Sequence, residues 1–238
     1  MTLLAVDGLT KAFRGLKAID GVSFEIEAGS ITSIIGPNGA GKSTLFNMIS
    51  GYLEPTAGEI HLDGERITGQ APHRIAERGV ARAFQIAKPF PELSVERNVM
   101  VAALFGRRGP RNVDETVDRA ISICRLDPWR HAPASTLSIG NLRRLELARA
   151  IAARPLLLLA DEPCAGLNET ETHEITDALS SIRSQGMTIL LVEHDIRAVR
   201  RISDHLIVIE AGRKIAEGGA DEVLCRQEVI DAYLGAAV

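Results

Sequence analysis

GPNGAGKST, residues 36–44, is the stretch on which the reading of this chain turns. It meets the pattern G-x-x-x-x-G-K-[ST] through Gly36, Gly41, Lys42 and Ser43. At average composition roughly one chain in a hundred of this size matches by chance. The flanks make chance poorer still. SITSIIG (30–36) reads as a strand before the motif, and KSTLFNMISG (42–51) has helical apolar spacing after it, ended by Gly51. A glycine-rich turn between a strand and a helix offers backbone N–H groups and a helix N-terminus to phosphate oxygens. Gly36, Pro37, Asn38, Gly39, Ala40 and Gly41 supply that cradle, and Lys42, Ser43 and Thr44 open the helix. Lys42 is expected to bridge β- and γ-phosphates, and Ser43 to hold Mg2+. Many proteins share this grip, so the rest of the chain must say what it drives.

A second stretch completes the site. LLLLADEP (156–163) is an apolar strand ending in two carboxylates, which core strands rarely carry without a partner. Beside a phosphate loop they have a use. Asp161 is expected to reach the Mg2+ coordination shell, and Glu162 to sit near a water in line with the γ-phosphate.

Working outward, LLAVDGL (3–9) and VSFEIE (22–27) read as strands, and AGEIHLDGERI (57–67) as a hairpin turning at Asp63-Gly64. From about 87 to 153 the pattern is mainly helical, with breaks at GRRGPRN (106–112) and DPWRHAPAS (127–135). Alternation then returns: strand 156–160, helix from Glu169 to Ser184, strand 187–193, helix 196–202, a β-rich stretch 205–218, and one or two short helices to the end. This order predicts a parallel α/β core with a helical insertion. A core and β part of about 1–86 and 154–238 would flank a helical part of about 87–153.

Composition narrows the partners. With 238 residues, 45% hydrophobic and 24% charged, the chain is globular rather than disordered. A net charge of −4 and only 4% aromatic residues argue against nucleic acid as a partner. The longest apolar runs fall far short of the ~18 residues a membrane span needs. MTLLAVDGLTK lacks the basic start and long apolar stretch of a signal peptide, so none is expected. Cys124, Cys164 and Cys225 have no metal-ligand spacing and read as reduced thiols, with Cys164 a small packing residue.

STLSIGNLRRLELARAIAARPLLLLADEPCAGLN (135–168) resembles the signature-to-Walker-B region of ATP-binding cassette transporters, and the resemblance extends through nearly the whole chain. It implies an α/β P-loop NTPase core with an antiparallel β subdomain and a helical subdomain. By the same resemblance, Gln85 in ARAFQ looks like the Q-loop glutamine, which serves Mg2+ and the attacking water. Ser138 and Gly140 in LSIGN look like residues that hold an opposite subunit's ATP. AGLN (165–168) looks like the D-loop, and His194 in LLVEHD like the histidine that contacts the γ-phosphate. Phe13 falls where the family stacks an aromatic ring on adenine. Catalysis is thereby expected of Glu162, His194 and Gln85, and metal binding of Ser43, Gln85 and Asp161. ARAFQIAKPFPELSVERNVMVAALFG (81–106), AGLN and VIDAYLG (229–235) are similar to the ATPases of branched-chain amino-acid importers. That branch implies transmembrane permease subunits, a paralogous ATPase or a second copy, an extracytoplasmic substrate-binding protein, and a peripheral place on the cytoplasmic face of the inner membrane.

Departures from the pattern fall in the signature. Ile139 replaces a glycine, Asn141 is a methylene shorter than the usual glutamine, and Asn168 replaces the D-loop aspartate. Arg143 and Arg144 read as an ion-paired or solvated helix face. Urea and amide importers share much of the wording and are the nearest alternative. A P-loop small-molecule kinase would have no use for LSIGN, and a GTPase lacks its N-K-x-D here. Non-transport cassettes are usually fused pairs or carry long coiled coils.

Overall fold

The computed structural model describes residues 1–107 and 112–234, so most of the 106–112 break and the last residue of 229–235 lie outside it. Two sheets share the work. The first is antiparallel, in the order β2-β1-β4-β5. Its strands β1 (Thr2–Phe13) and β2 (Leu16–Glu27) join at Arg14-Gly15, both at positive φ, the geometry that twists a two-residue hairpin correctly. The same device at Asp63-Gly64 joins β4 (Ala57–Leu62) to β5 (Glu65–Arg66), where the sequence predicts a hairpin.

The second sheet holds β3 (Ile31–Ile35), β6 (Val80–Ala83), β7 (Leu157–Asp161), β8 (Thr188–Val192), β9 (His205–Glu210) and β10 (Arg213–Gly218). Its order is β10-β9-β3-β8-β7-β6, parallel except for β10 at one edge. Every residue of β3, β7 and β8 is buried, Thr32 and Ser33 of β3 included, so none of the three shows the alternation of a half-exposed strand. β6 at the other edge and the short helix α2 (Pro72–Arg78) carry too few apolar residues to show a period, and the sequence does not signal them.

Helix α1 (Lys42–Ile49) follows β3. Between β6 and β7 stand α3 (Val95–Phe105), α4 (Val113–Ile123) and α5 (Ile139–Ala152), each packed on the other two. α6 (Glu169–Ser184) has the predicted bounds, and Asn168 and Glu171 close its start with a reciprocal capping box. α7 (Ile196–Ile202), α8 (Ala220–Leu224) and α9 (Gln227–Leu234) complete the described chain. Val99, Val117 and Leu145 of the three inserted helices share one core with Leu158 of β7 and Leu179 of α6. A second core lies between the sheets, where Leu4, Leu9 and Phe24 meet Phe46, Leu159 and Leu190. Among the described residues no helix is long and apolar enough to cross a membrane.

Candidate nucleotide site

Four neighbouring parallel strands, β3, β8, β7 and β6, end on the same edge of the sheet. Parallel sheets place their ligand sites beyond the carboxyl ends of the strands, and that is where the singled-out residues gather. β3 runs into 36–44, β7 ends in Asp161 with Glu162 next, β8 is followed by Glu193-His194, and β6 leads to Gln85.

The phosphate loop is wedged between two strands. A Cβ on Gly36 would lie 2.0 Å from the Ile209 carbonyl oxygen, and one on Gly41, at φ 107°, 2.5 Å from that of Ala18. Only glycine fits either position. Gly41 caps α1 without a side-chain hydrogen bond, so the amides of the first turn remain available to an anion. Asn38, Gly39 and Ser43 are exposed, Pro37 and Thr44 half-buried, and Ala40 buried. Lys42 Nζ donates to the carbonyl oxygens of Gly36 (2.7 Å) and Pro37 (2.9 Å). Burial pushes its pKa below the usual lysine range, and the Glu162 charge opposes that shift. A phosphate would meet a lysine already folded over the loop.

Glu162, Gln85 and His194 come together beyond the ends of β7, β6 and β8. Gln85 Nε2 donates to Glu162 Oε2 at 2.5 Å, and His194 Nε2 lies 2.7 Å from Glu162 Oε1. Glu162 holds a left-handed backbone at φ 48°, a conformation that costs a non-glycine residue about 1–3 kcal/mol. Its amide donates to the Val192 carbonyl (2.9 Å), which fixes the turn against β8.

Asp161 has a partner that sequence reasoning missed. Arg82 of β6 donates to its Oδ2 at 2.5 Å, and both side chains are nearly buried. The same guanidinium donates to Asn47 (2.7 Å) and Ser50 (3.1 Å) and lies 4.8 Å from the Phe84 ring centroid. Among the described residues Asp161 Oδ1 accepts no hydrogen bond. That carboxylate oxygen, the exposed Ser43 hydroxyl and the Gln85 amide oxygen are hard donors of the kind Mg2+ takes alongside phosphate oxygens, so the residues fit the ion.

Glu193 is also absent from the predicted set. It is 3% exposed, and it accepts the Cys164 amide on Oε1 (2.7 Å) and the His194 amide on Oε2 (3.0 Å). One carboxylate thus ties the turn after Glu162 to the residue that carries the imidazole. Burial pushes its pKa up, and the two amides pull against that. The signal was available, because a carboxylate ending the apolar run LLVE is the same anomaly as Asp161. For Arg82, a lone arginine beside a weak strand, there was none. Cys164 is buried, as a packing residue should be.

Among the described residues, Ser138, Gly140 and Phe13 make no hydrogen bond to this cluster. Ser138 caps α5, its hydroxyl accepting the Asn141 amide at 3.3 Å. Ile139 beside it is 66% exposed, while Gly140 is buried against Glu171 of α6. Arg144 pairs with Glu174 across α5 and α6, the ion-paired alternative read from the sequence. Among the described residues no hydrogen bond joins Ser138 or Gly140 to 36–44. Phe13 stands 46% exposed at the end of β1, with the Lys11 amine 5.3 Å from its ring centroid. It shares the β1–β2 hairpin with Ala18, whose carbonyl closes on Gly41.

Comparison with known proteins agrees with this geometry. A family model described as ABC transporter matches residues 19–165, and one described as Branched-chain amino acid ATP-binding cassette transporter matches 213–238. The chain is 41% identical to the high-affinity branched-chain amino acid transport ATP-binding protein BraF of Pseudomonas aeruginosa, covering 99% of this chain and 98% of that one. It is 40% identical to LivG of Escherichia coli, a protein of the same description, with the same coverage. Among solved structures, the ADP conformation of MJ1267, an ATP-binding cassette of an ABC transporter, superposes with a TM-score of 0.88 at 31% identity, covering 99% of both chains. The dimeric structure of MJ0796, a bacterial ABC transporter cassette, gives a TM-score of 0.81 at 26% identity over 92% of this chain and 99% of that one. A phosphate loop, a strand-end carboxylate pair and relatives matched from end to end have one common reading: the chain belongs to the ATP-binding, ATP-hydrolysing subunits of ABC transporters.

Proposed function

We propose that this protein powers the import of branched-chain or other hydrophobic amino acids. The reading rests on one observation: a single site geometry carried by a chain that matches branched-chain amino-acid transport ATPases along its whole length. The chain would lie on the cytoplasmic face of the membrane, with permease subunits above it and an extracytoplasmic binding protein supplying substrate. Loop 84–90 is the face this reading gives to the permease, since Ile86 there is 72% exposed and Phe90 46%.

Each residue has a task in turnover. The amides of 36–41 and the start of α1 hold the phosphates, and Lys42 exchanges its two carbonyl partners for β- and γ-oxygens. Phe13 stacks on adenine. Ser43, Asp161 and Gln85 would hold Mg2+, which would supply neutralisation of phosphate charge. Glu162 orients the attacking water and takes its proton, while Gln85 and His194 keep both carboxylate oxygens aimed. Positioning and charge stabilisation carry most of the acceleration. Ser138 and Gly140, which make no hydrogen bond to their own phosphate loop among the described residues, would close on the ATP of a second cassette, either a copy or a paralogue.

Reconstitution tests the reading. The chain is placed with its permease subunits and binding protein in lipid vesicles loaded with ATP. Leucine, isoleucine or valine uptake that stops with Glu162→Gln is the expected result. Uptake of urea or short amides instead would move the protein to the neighbouring branch.

A further inference from the structure

The turnover scheme leaves open what keeps Glu162 in its costly backbone conformation. The parallel register sets Asp161 of β7 beside Val192 of β8, so Glu162 and Glu193 are the next residues at two neighbouring strand ends. The Val192 carbonyl accepts the Glu162 amide, and the Glu162 carbonyl accepts that of Ala165 (3.1 Å), which closes a turn over Pro163 and Cys164. Pro163 has no amide hydrogen, so the next N–H after Glu162 belongs to Cys164. Glu193 Oε1 accepts that one at 2.7 Å, and Oε2 accepts the His194 amide at 3.0 Å.

A left-handed backbone persists at a non-glycine residue only where its surroundings over-determine it. Glu162, at φ 48°, has two such constraints: its own amide on Val192, and the amide two residues later on Glu193. The contacts close a ring. Glu193 holds the backbone of Cys164 and of His194, and the His194 imidazole meets the Glu162 carboxylate. Chemistry selects the residue type here. A carboxylate accepts on both oxygens, and both partners are N–H donors. A glutamine of the same shape would turn its NH2 toward one of them and leave that donor unpaired, which is costly in a buried place.

We propose that Glu193 is a positioning residue for hydrolysis: the two amides it accepts hold Glu162 in its left-handed backbone and His194 beside it, and so aim the base. Glu193 is 3% exposed, so it acts through these neighbours and not on the nucleotide. Two carboxylates at adjacent strand ends thus divide the work, one doing chemistry and the other fixing where that chemistry happens. This rests on the assignment of Glu162 made above.

The test compares Glu193→Gln with Glu162→Gln in the full chain. Two quantities are read: ATPase kinetics, and amide hydrogen exchange without nucleotide. Glu193→Gln keeps the side-chain volume, so a packing role alone would leave both as in the parent. Positioning predicts a kcat lowered about tenfold with KM for ATP changed less than about twofold, because alignment is lost and binding is not. Exchange at Cys164 or His194 should quicken about tenfold or more, with α1 and β3 unchanged. A kcat or an exchange rate equal to the parent's, when Glu162→Gln is slow, overturns the proposal alone. A KM raised by more than kcat is lowered overturns it too. Brisk hydrolysis by Glu162→Gln overturns the underlying assignment and the proposal with it. Should Glu193→Gln fail to fold, Glu193→Asp decides. It keeps both acceptor oxygens but is a methylene too short to reach both amides. Lowered kcat with quickened exchange then upholds the role, and either one unchanged overturns it.

Discussion

His194 Nε2 stands 2.7 Å from Glu162 Oε1, a contact that joins the end of β8 to the end of β7. With Gln85 on the other oxygen, the carboxylate has little freedom to rotate. A base held in this way should be sensitive to chemistry rather than to size.

Glu162→Gln is the sharpest test of that base. The amide keeps the shape but loses the proton acceptor, so kcat should fall by about 10²–10⁴ with ATP affinity preserved. Equilibrium binding and steady-state hydrolysis on one preparation check both halves. Brisk hydrolysis by the variant would hand the role to another group.

Lys42→Ala should show the opposite pattern. The ammonium now rests on two carbonyl oxygens and is due to move onto phosphate, a charge-assisted interaction worth about 1.5–3 kcal/mol. Calorimetric titration with ATP should show affinity weakened by about one to two powers of ten.

Phe13→Ala should weaken ATP by about 1–3 kcal/mol if the exposed ring stacks on the base as aromatic side chains do elsewhere. Since a ring face accepts either purine, ATP and GTP should differ only modestly in the unaltered protein. Equal dissociation constants for the variant and the parent would return Phe13 to a purely structural place.

Arg82→Ala tests the buried pair. Removing one partner leaves the Asp161 charge almost without solvent, which typically costs about 3–5 kcal/mol. Urea unfolding should report that loss. Asn47, Ser50 and Phe84 would lose the same guanidinium, so the effect should stand well above that of the exposed Arg66–Glu59 pair.

Glu193→Gln predicts a pH signature. Burial raises the folded-state pKa of Glu193 above its ordinary value of 4.5. The folded chain then holds this proton more tightly than the unfolded one, and stability falls as pH rises from about the ordinary value through the folded one. The amide variant has no such proton. Its melting temperature relative to the parent should therefore climb with pH across that window and level off above it. A difference that does not vary with pH would show the carboxylate to be unshifted.

Much of this was legible in the chain. Largely apolar runs located β3, β7 and β8, and the start of α6 was read at Glu169, where the structure shows Asn168 and Glu171 closing the helix. The Asp63-Gly64 and 36–44 turns follow from backbone geometry that few residues allow, so spelling alone reveals them. Arg82 was not legible, because it finds its partner across dozens of residues and disturbs no local period. The same holds for the Glu162 backbone, whose positive φ is imposed by the turn it shares with β8. Long-range pairing decides those positions, and one-dimensional pattern does not carry it.

The strand order has a consequence for how the protein comes into being. β3 lies between β8 and β9, with Ile31 beside Ile189 and Thr32 beside His205. When β3 leaves the ribosome, both neighbours are still unmade, and its backbone has two open edges. The phosphate loop needs that strand anchored, and it also needs the Ile209 carbonyl that closes on Gly36. Nucleotide cannot be gripped until β9 has been synthesised, and pairings this distant in sequence form slowly. The nascent chain must be kept from aggregating through most of its translation. ATP, once bound, becomes a report that the last strands have arrived.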